Sequence, residues 1–221
     1  KCGPMMANSL ESIVNFLKVK YEDEPKIVPS DYKVDIVFED KDQPVDGPSA
    51  GTAMALLLDS LFTGRELDDK FACTGAITAT GKVMPIGGVA GKIRGATAKG
   101  CYLVGVPHAN IKGVSDILVL DGIRKLIDIQ VFSFKTLDQA IEVASLEKSE
   151  TVQSAIDDFN KVADLLKEDE TKLKNPVVIN LLKDLVEKMP NHQSAKILLS
   201  VAEGEEKKSL SLGGSFHQIR T

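Results

Sequence analysis

The chain has 221 residues, 43% hydrophobic and 27% charged, which fits an ordinary globule of one ~150-residue domain plus a smaller appendage. Lys and Arg number 27 against 32 Asp and Glu, a net charge of −5, divided as 17 against 20 over residues 1–148 and 10 against 12 over 149–221. Neither part is basic, no apolar run approaches the ~18–20 residues of a membrane span and no secretory pattern opens the chain, so neither nucleic acid nor membrane is expected as a partner.

Residues 6–20 (MANSLESIVNFLKVK) place Leu10, Ile13, Val14 and Leu17 at helical spacing, with Asn8 or Ser9 as cap and Glu11 in the first turn. YKVDIVF (32–38) alternates Tyr32, Val34, Ile36 and Phe38 with polar residues and predicts a half-buried strand. A polar loop (39–49) leads into AGTAMALLLDSLFTG (50–64), long and aliphatic enough for a buried helix with Gly64 past its end. KFACTGAITAT (70–80) reads as a strand and Gly81 as a turn; then come KVMPI (82–86), Gly87-Gly88 and a helix from about Val89 to Lys99. CYLVGVP (101–107) is a short buried strand. SDILVL (115–120), a helix near 121–128, IQVFSF (129–134) and a helix near 136–146 continue the alternation of an α/β or α+β layered domain.

Composition shifts near Leu146, and a boundary is expected at about 147–150. Residues 149–203 read as helices only, roughly 151–168, 176–189 and 191–203, similar to one and a half repeats of a helix-pair solenoid. Leu181, Leu182, Leu185 and Val186 form a stripe that must cover something, either the first domain or a partner. Residues 204–221 are polar and Gly/Ser-rich and predict a mobile tail.

Three cysteines, Cys2, Cys73 and Cys101, lie far apart with no CxxC pair. No disulfide framework, metal site or cofactor is therefore expected, and a reducing, cytoplasmic setting fits. In Asp46-Gly47-Pro48-Ser49-Ala50-Gly51, Ser49 falls where a loop enters the buried helix. A hydroxyl there sits beside unpaired amides at the positive end of a helix dipole, which suits a nucleophile whose product is an oxyanion. Serine is also a common helix cap, so both readings stand on local sequence.

A serine nucleophile needs a base. Among His108, His192 and His217 only His108 lies in the first domain, and nothing marks its setting. A lysine serves instead if burial makes the neutral amine available. Lys92 lies on the shoulder of the Val89, Ile93, Ala96 stripe, where snorkelling is the bland alternative and spacing does not decide.

DGPSAG around Ser49 and TGAITATGKVMPIGGVAGK ending at Lys92, 43 residues apart, closely resemble the proteolytic domain of the Lon protease family. The resemblance runs from about Met5 through Leu146. It implies an α/β sandwich related to the second domain of ribosomal protein S5 over residues 1–148, with a small all-α extension. It further implies a serine endopeptidase acting on unfolded or damaged polypeptides. Ser49 would be the nucleophile and Lys92 the general base. Thr74 would hold the lysine amine, amides around Asp46 to Ser49 would line the oxyanion hole, and Asp46 would help switch the loop. A homo-oligomer, a hexameric ring, is also implied.

Some features depart from the family pattern. Ala76 stands where Lon chains commonly have Glu, and Asp35 and Val37 where many have His-x-His. No G-x-x-x-x-G-K-[ST] motif occurs, so the ATPase is absent from this chain. The family's domain begins with several strands before the first helix, and these are expected to be missing here. These departures motivate an alternative, a catalytically inactive Lon-like scaffold or adaptor. A third class, small-molecule kinases of the galactokinase and homoserine kinase type, shares the fold, but GPSAG is too short for their phosphate loop.

Overall fold

Proline at the first helical position starts α1 (Pro4–Lys20) earlier than the apolar spacing predicts. Proline is tolerated there because the first amides of a helix have no intrahelical partner. The structure, a computed structural model, describes residues 3–35, 37, 46–205, 209–211 and 215. Asn8 and Ser9 lie inside α1 rather than capping it, and its first turn holds no acid. Of the strand expected over 32–38, residues 32–35 and 37 join no ladder, while Ile36 and Phe38 lie outside the described residues. Tyr32 packs its ring on Phe62 at 5.1 Å instead.

The buried helix α2 (Gly51–Thr63) ends at Gly64, whose φ of 72° is the left-handed cap that glycine adopts without strain. Its one buried acid, Asp59, accepts from the Tyr21 hydroxyl and pairs with Arg65 at 2.6 Å, which satisfies a charge that burial would otherwise penalise. The strand expected over 70–80 divides into β1 (Phe71–Cys73) and β2 (Ala76–Ile77), and β2 pairs antiparallel with β3 (Val83–Met84). The break falls at Thr74-Gly75, where the backbone turns to bond the loop before α2.

Beyond β3 come α3 (Val89–Ala98), β4 (Leu103–Pro107), α4 (Ile111–Val114), α5 (Asp116–Asp121), α6 (Ile123–Ile127), β5 (Gln130–Phe134) and α7 (Leu137–Ala144). The SDILVL run becomes helix α5, since four apolar residues in a row carry no period that separates helix from strand. The chain continues through α8 (Glu150–Glu168), α9 (Pro176–Lys188) and α10 (Gln193–Ala202).

Strands β1, β4 and β5 form a parallel sheet in the order β1-β4-β5, and every residue of β4 and β5 is buried. Burial on both faces is what a parallel sheet requires. Leu103 and Phe134 enter the core built with α1, α2 and α7; their neighbours Val104, Val106 and Val131 enter the one built with α3, α5, α6, α9 and α10. Helix α8 contributes to both.

The free edge of β5 is closed by the turn before α10 and by the first turn of that helix. Ser133 N–H donates to Asn191 O at 2.9 Å, Val131 N–H to Ser194 Oγ at 3.0 Å, and Ser194 Oγ–H to Ile129 O at 2.7 Å. An edge satisfied in this way offers no template to another strand. The leucine stripe of α9 is covered by the chain itself: Leu182 and Leu185 are fully buried, with Leu181 and Val186 packed around them. No helix among the described residues is long and apolar enough to cross a membrane.

Candidate active site

Ser49 occupies a 3₁₀ turn, Pro48–Ala50, that runs directly into α2. Its carbonyl accepts the Gly75 N–H at 2.9 Å and the Thr74 hydroxyl at 3.1 Å, while Thr52 N–H donates back to Gly75 O at 2.9 Å. These bonds tie the serine turn to the carboxyl end of β1, the end at which open parallel sheets place their ligands. Gly75 makes the approach possible: a Cβ there would lie 2.7 Å from Thr52 Oγ1.

Lys92 comes from the other layer, one turn into α3. Its Nζ lies 3.3 Å from Ser49 Oγ, and the pair remains open to solvent. Asp46 reaches in the opposite direction. Its Oδ1 accepts the Gly47 N–H at 2.9 Å and the Met6 N–H at 3.1 Å, so the loop before Ser49 supplies α1 with the cap its own sequence lacks. A Cβ on Gly3 would strike the Asp46 carboxyl carbon at 2.2 Å, so a glycine at the start of α1 is what lets the acid in.

Among the expected site residues, Ser49, Lys92 and Thr74 are thus brought together. The Thr74 hydrogen goes to the Ser49 carbonyl, which leaves the lone pairs of its oxygen facing acceptor duty. Gly47, one of the amides expected to line an oxyanion hole, is engaged by Asp46. Ala76 sits in the β2–β3 ladder opposite Met84. Asp35 makes an exposed ion pair with Lys33 at 3.5 Å, and Val37 is 76% exposed.

The other candidates are occupied elsewhere. His108 Nδ1 meets Ser133 Oγ at 3.2 Å, and burial, with Lys135 and Lys196, lowers its pKa. His192 is fully buried, and His217 lies outside the described residues, as does Cys2. Burial pushes the Cys73 thiol up to about 12, which makes it a poor nucleophile. No cluster of metal-ligating side chains occurs among the described residues.

Two features lay beyond sequence reasoning, the Asp46 cap on α1 and the side chain of Asn110. Asn110 Oδ1 accepts the Ile86 N–H at 2.9 Å and its Nδ2 donates to Ile86 O at 2.8 Å. Both are tertiary bonds, 40 and 24 residues apart, which no local pattern signals.

Comparison with known proteins points the same way. Residues 1–147 match the family described as the Lon protease (S16) C-terminal proteolytic domain. Lon protease 2 of Syntrophobacter fumaroxidans is 39% identical over 103 residues, 47% of this chain and 12% of the relative. Lon protease of Elusimicrobium minutum is 34% identical over 155 residues, 70% of this chain and 18% of the relative. Lon protease 1 of Bacillus subtilis is 36% identical over 120 residues, 53% of this chain and 15% of the relative. The chain therefore spans less than a fifth of the length of each of these relatives. With its motifs in register and two thirds of its length matched, the chain belongs to the Lon proteolytic domain family.

Proposed function

We propose that the chain is a serine endopeptidase that acts in the cytoplasm on unfolded or damaged polypeptides, with Ser49 as nucleophile and Lys92 as general base. The observation that carries the reading is the 3.3 Å approach of Lys92 Nζ to Ser49 Oγ from two separate layers of the fold. Ser49 Oγ adds to the scissile carbonyl while its proton passes to the Lys92 amine. Collapse of the tetrahedral adduct breaks the C–N bond, and the proton leaves with the amine. Water then hydrolyses the acyl-serine with the same lysine as base.

Thr74 orients this exchange through the Ser49 carbonyl, and its oxygen is suited to accept from the amine. An oxyanion needs free amides. For Gly47 to supply one, Asp46 must release it, which is how Asp46 would switch the loop. The fold reading that accompanies this mechanism, a ribosomal protein S5 domain 2-like sandwich, rests on the family resemblance. So does assembly into a homo-oligomeric ring; Leu57 and Leu61, one turn apart on α2 and 59% and 52% exposed, are apolar surface that a neighbouring copy would cover.

The test is cleavage of casein and of a fluorogenic peptide by wild type, Ser49→Ala and Lys92→Met. Wild type is expected to cleave and both variants to lose at least ~10³-fold in turnover. Equal rates in all three, or no cleavage by wild type, would end the reading and leave the inactive scaffold.

A further inference from the structure

Asn110 is the N-cap residue of α4, a position where an asparagine side chain ordinarily bonds the amides of its own helix. It makes no such bond. Its carboxamide instead spans 24 residues to Ile86 and satisfies both backbone groups of that residue, in the manner of one rung of a β-ladder. Ile86 immediately precedes Gly87-Gly88, and Gly88 (φ 68°) is the N-cap of α3. The first intrahelical bond of α3 runs from Lys92 N–H to Gly88 O at 3.1 Å.

Gly87 and Gly88 have no side chain to grip the fold, and a Cβ on either would meet nothing within 4 Å. Two such glycines make a hinge between the β2–β3 hairpin, which leads from Thr74-Gly75, and the helix that carries the lysine. Downstream, Val89 and Ile93 anchor α3 in the core. Upstream, Asn110 holds the last residue before the hinge. Its own turn is fixed in place, since His108 Nδ1 meets Ser133 Oγ at 3.2 Å and Gln193 Nε2 donates to that same oxygen at 2.9 Å.

We propose that Asn110 is a positioning residue for Lys92: by clamping Ile86 it fixes the exit of the Gly-Gly hinge, the first turn of α3 and hence the reach of Lys92 Nζ to Ser49 Oγ. The proposal rests on the Ser49–Lys92 reading above. Proton transfer falls steeply with misplacement of a base, and an error on the scale of 1 Å costs up to ~10²-fold. The clamp acts on the reach of the base, so the loss is expected in kcat, with KM in place.

The experiment compares wild type, Ser49→Ala, Asn110→Ala and Asn110→Asp in the full chain by three readouts: peptide turnover, thermal melting and amide hydrogen exchange over residues 86–93. Asn110→Ala is expected to lower kcat ~10- to 100-fold with KM within about twofold. It is also expected to speed exchange over 86–93. Asn110→Asp still accepts the Ile86 N–H but cannot donate to Ile86 O, so it falls between wild type and Asn110→Ala. Wild-type kcat in Asn110→Ala, unchanged exchange over 86–93, or a kcat loss that only tracks the loss of folded protein overturns the proposal. Equal turnover by wild type and Ser49→Ala is a different failure. It removes the dyad and the proposal with it, while the exchange data still report whether the clamp exists.

Discussion

At the carboxyl end of β1, Ser49 and Lys92 meet at a wet surface, and the segments carrying them are held by a few backbone bonds through Thr74, Gly75 and the Gly88 cap. Around β5, His192 and Gln130 are dry and paired. His192 Nδ1 accepts the Ala195 N–H at 3.2 Å, which fixes the tautomer, so Nε2–H donates to Gln130 Oε1 at 3.1 Å. Gln130 Nε2 in turn donates to Asn160 Oδ1 at 2.9 Å and Ile156 O at 3.3 Å. The rings of Phe132 and Phe159 lie 4.5 and 4.7 Å from the imidazole. The contrast teaches that this fold leaves Ser49 and Lys92 open to solvent and pairs the polar groups it buries around His192.

If the two ends are independent, substitutions at each should separate turnover from stability. Ser49→Ala is the extreme case at the wet end, with at least ~10³-fold less turnover, more than about 4 kcal/mol on the barrier, and an unchanged melting point. Leu182→Ala is its counterpart. This fully buried α9 residue should cost about 2–5 kcal/mol in denaturant melts, because the cavity adds to the lost transfer energy. Cleavage per folded molecule should stay at the wild-type level. Should Leu182→Ala slow folded enzyme at the site, the two ends are coupled and the comparison breaks.

What was legible in the residues follows the same division. Helices α2, α7 and α8 to α10 announce themselves through apolar period and flanking Gly, Ser, Asn or Pro, since a helix needs only its own window. The split of residues 70–80 into β1 and β2 did not, because it depends on Gly75 meeting Ser49 and Thr52 across the fold. The cap on α1 comes likewise from distant Asp46, and the hold on Ile86 before α3 from Asn110. Motif resemblance, not spacing, paired Ser49 with Lys92; on α3 alone the lysine reads as a shoulder residue. Tertiary hydrogen bonds link distant windows, so a single local pattern contains at most half of each.

A smaller effect tests the dry end by pH. Burial holds the His192 pKa down to about 3 against an ordinary 6.5. Below 6.5 the unfolded chain takes up a proton that the native chain refuses, so stability is full above that pH and falls as pH drops toward 3. The slope from this group is at most about 1.4 kcal/mol per pH unit. A His192→Gln variant should lose that part of the slope between pH 6.5 and 4.5 in urea melts. An unchanged slope would mean that the imidazole reaches water in the native state.

Asp46 is the residue that crosses the comparison, since it belongs to the wet end and yet holds a structural bond. Its carboxylate stands in for the missing cap of α1, and α1 packs Met6, Ile13 and Leu17 into the core beside α2. Removing an N-cap costs about 1 kcal/mol, within a range of about 0.5–2. Asp46→Ala should therefore lower the denaturant midpoint modestly. Asp46→Asn, whose amide oxygen still accepts from Met6 and Gly47, should lower it less. If both variants melt like wild type, the Met6 contact carries no weight, and α1 is held by its buried face alone. If Asp46→Ala instead melts far below that range, the acid also holds the serine turn in place. The wet end would then be a source of stability, contrary to the contrast drawn above.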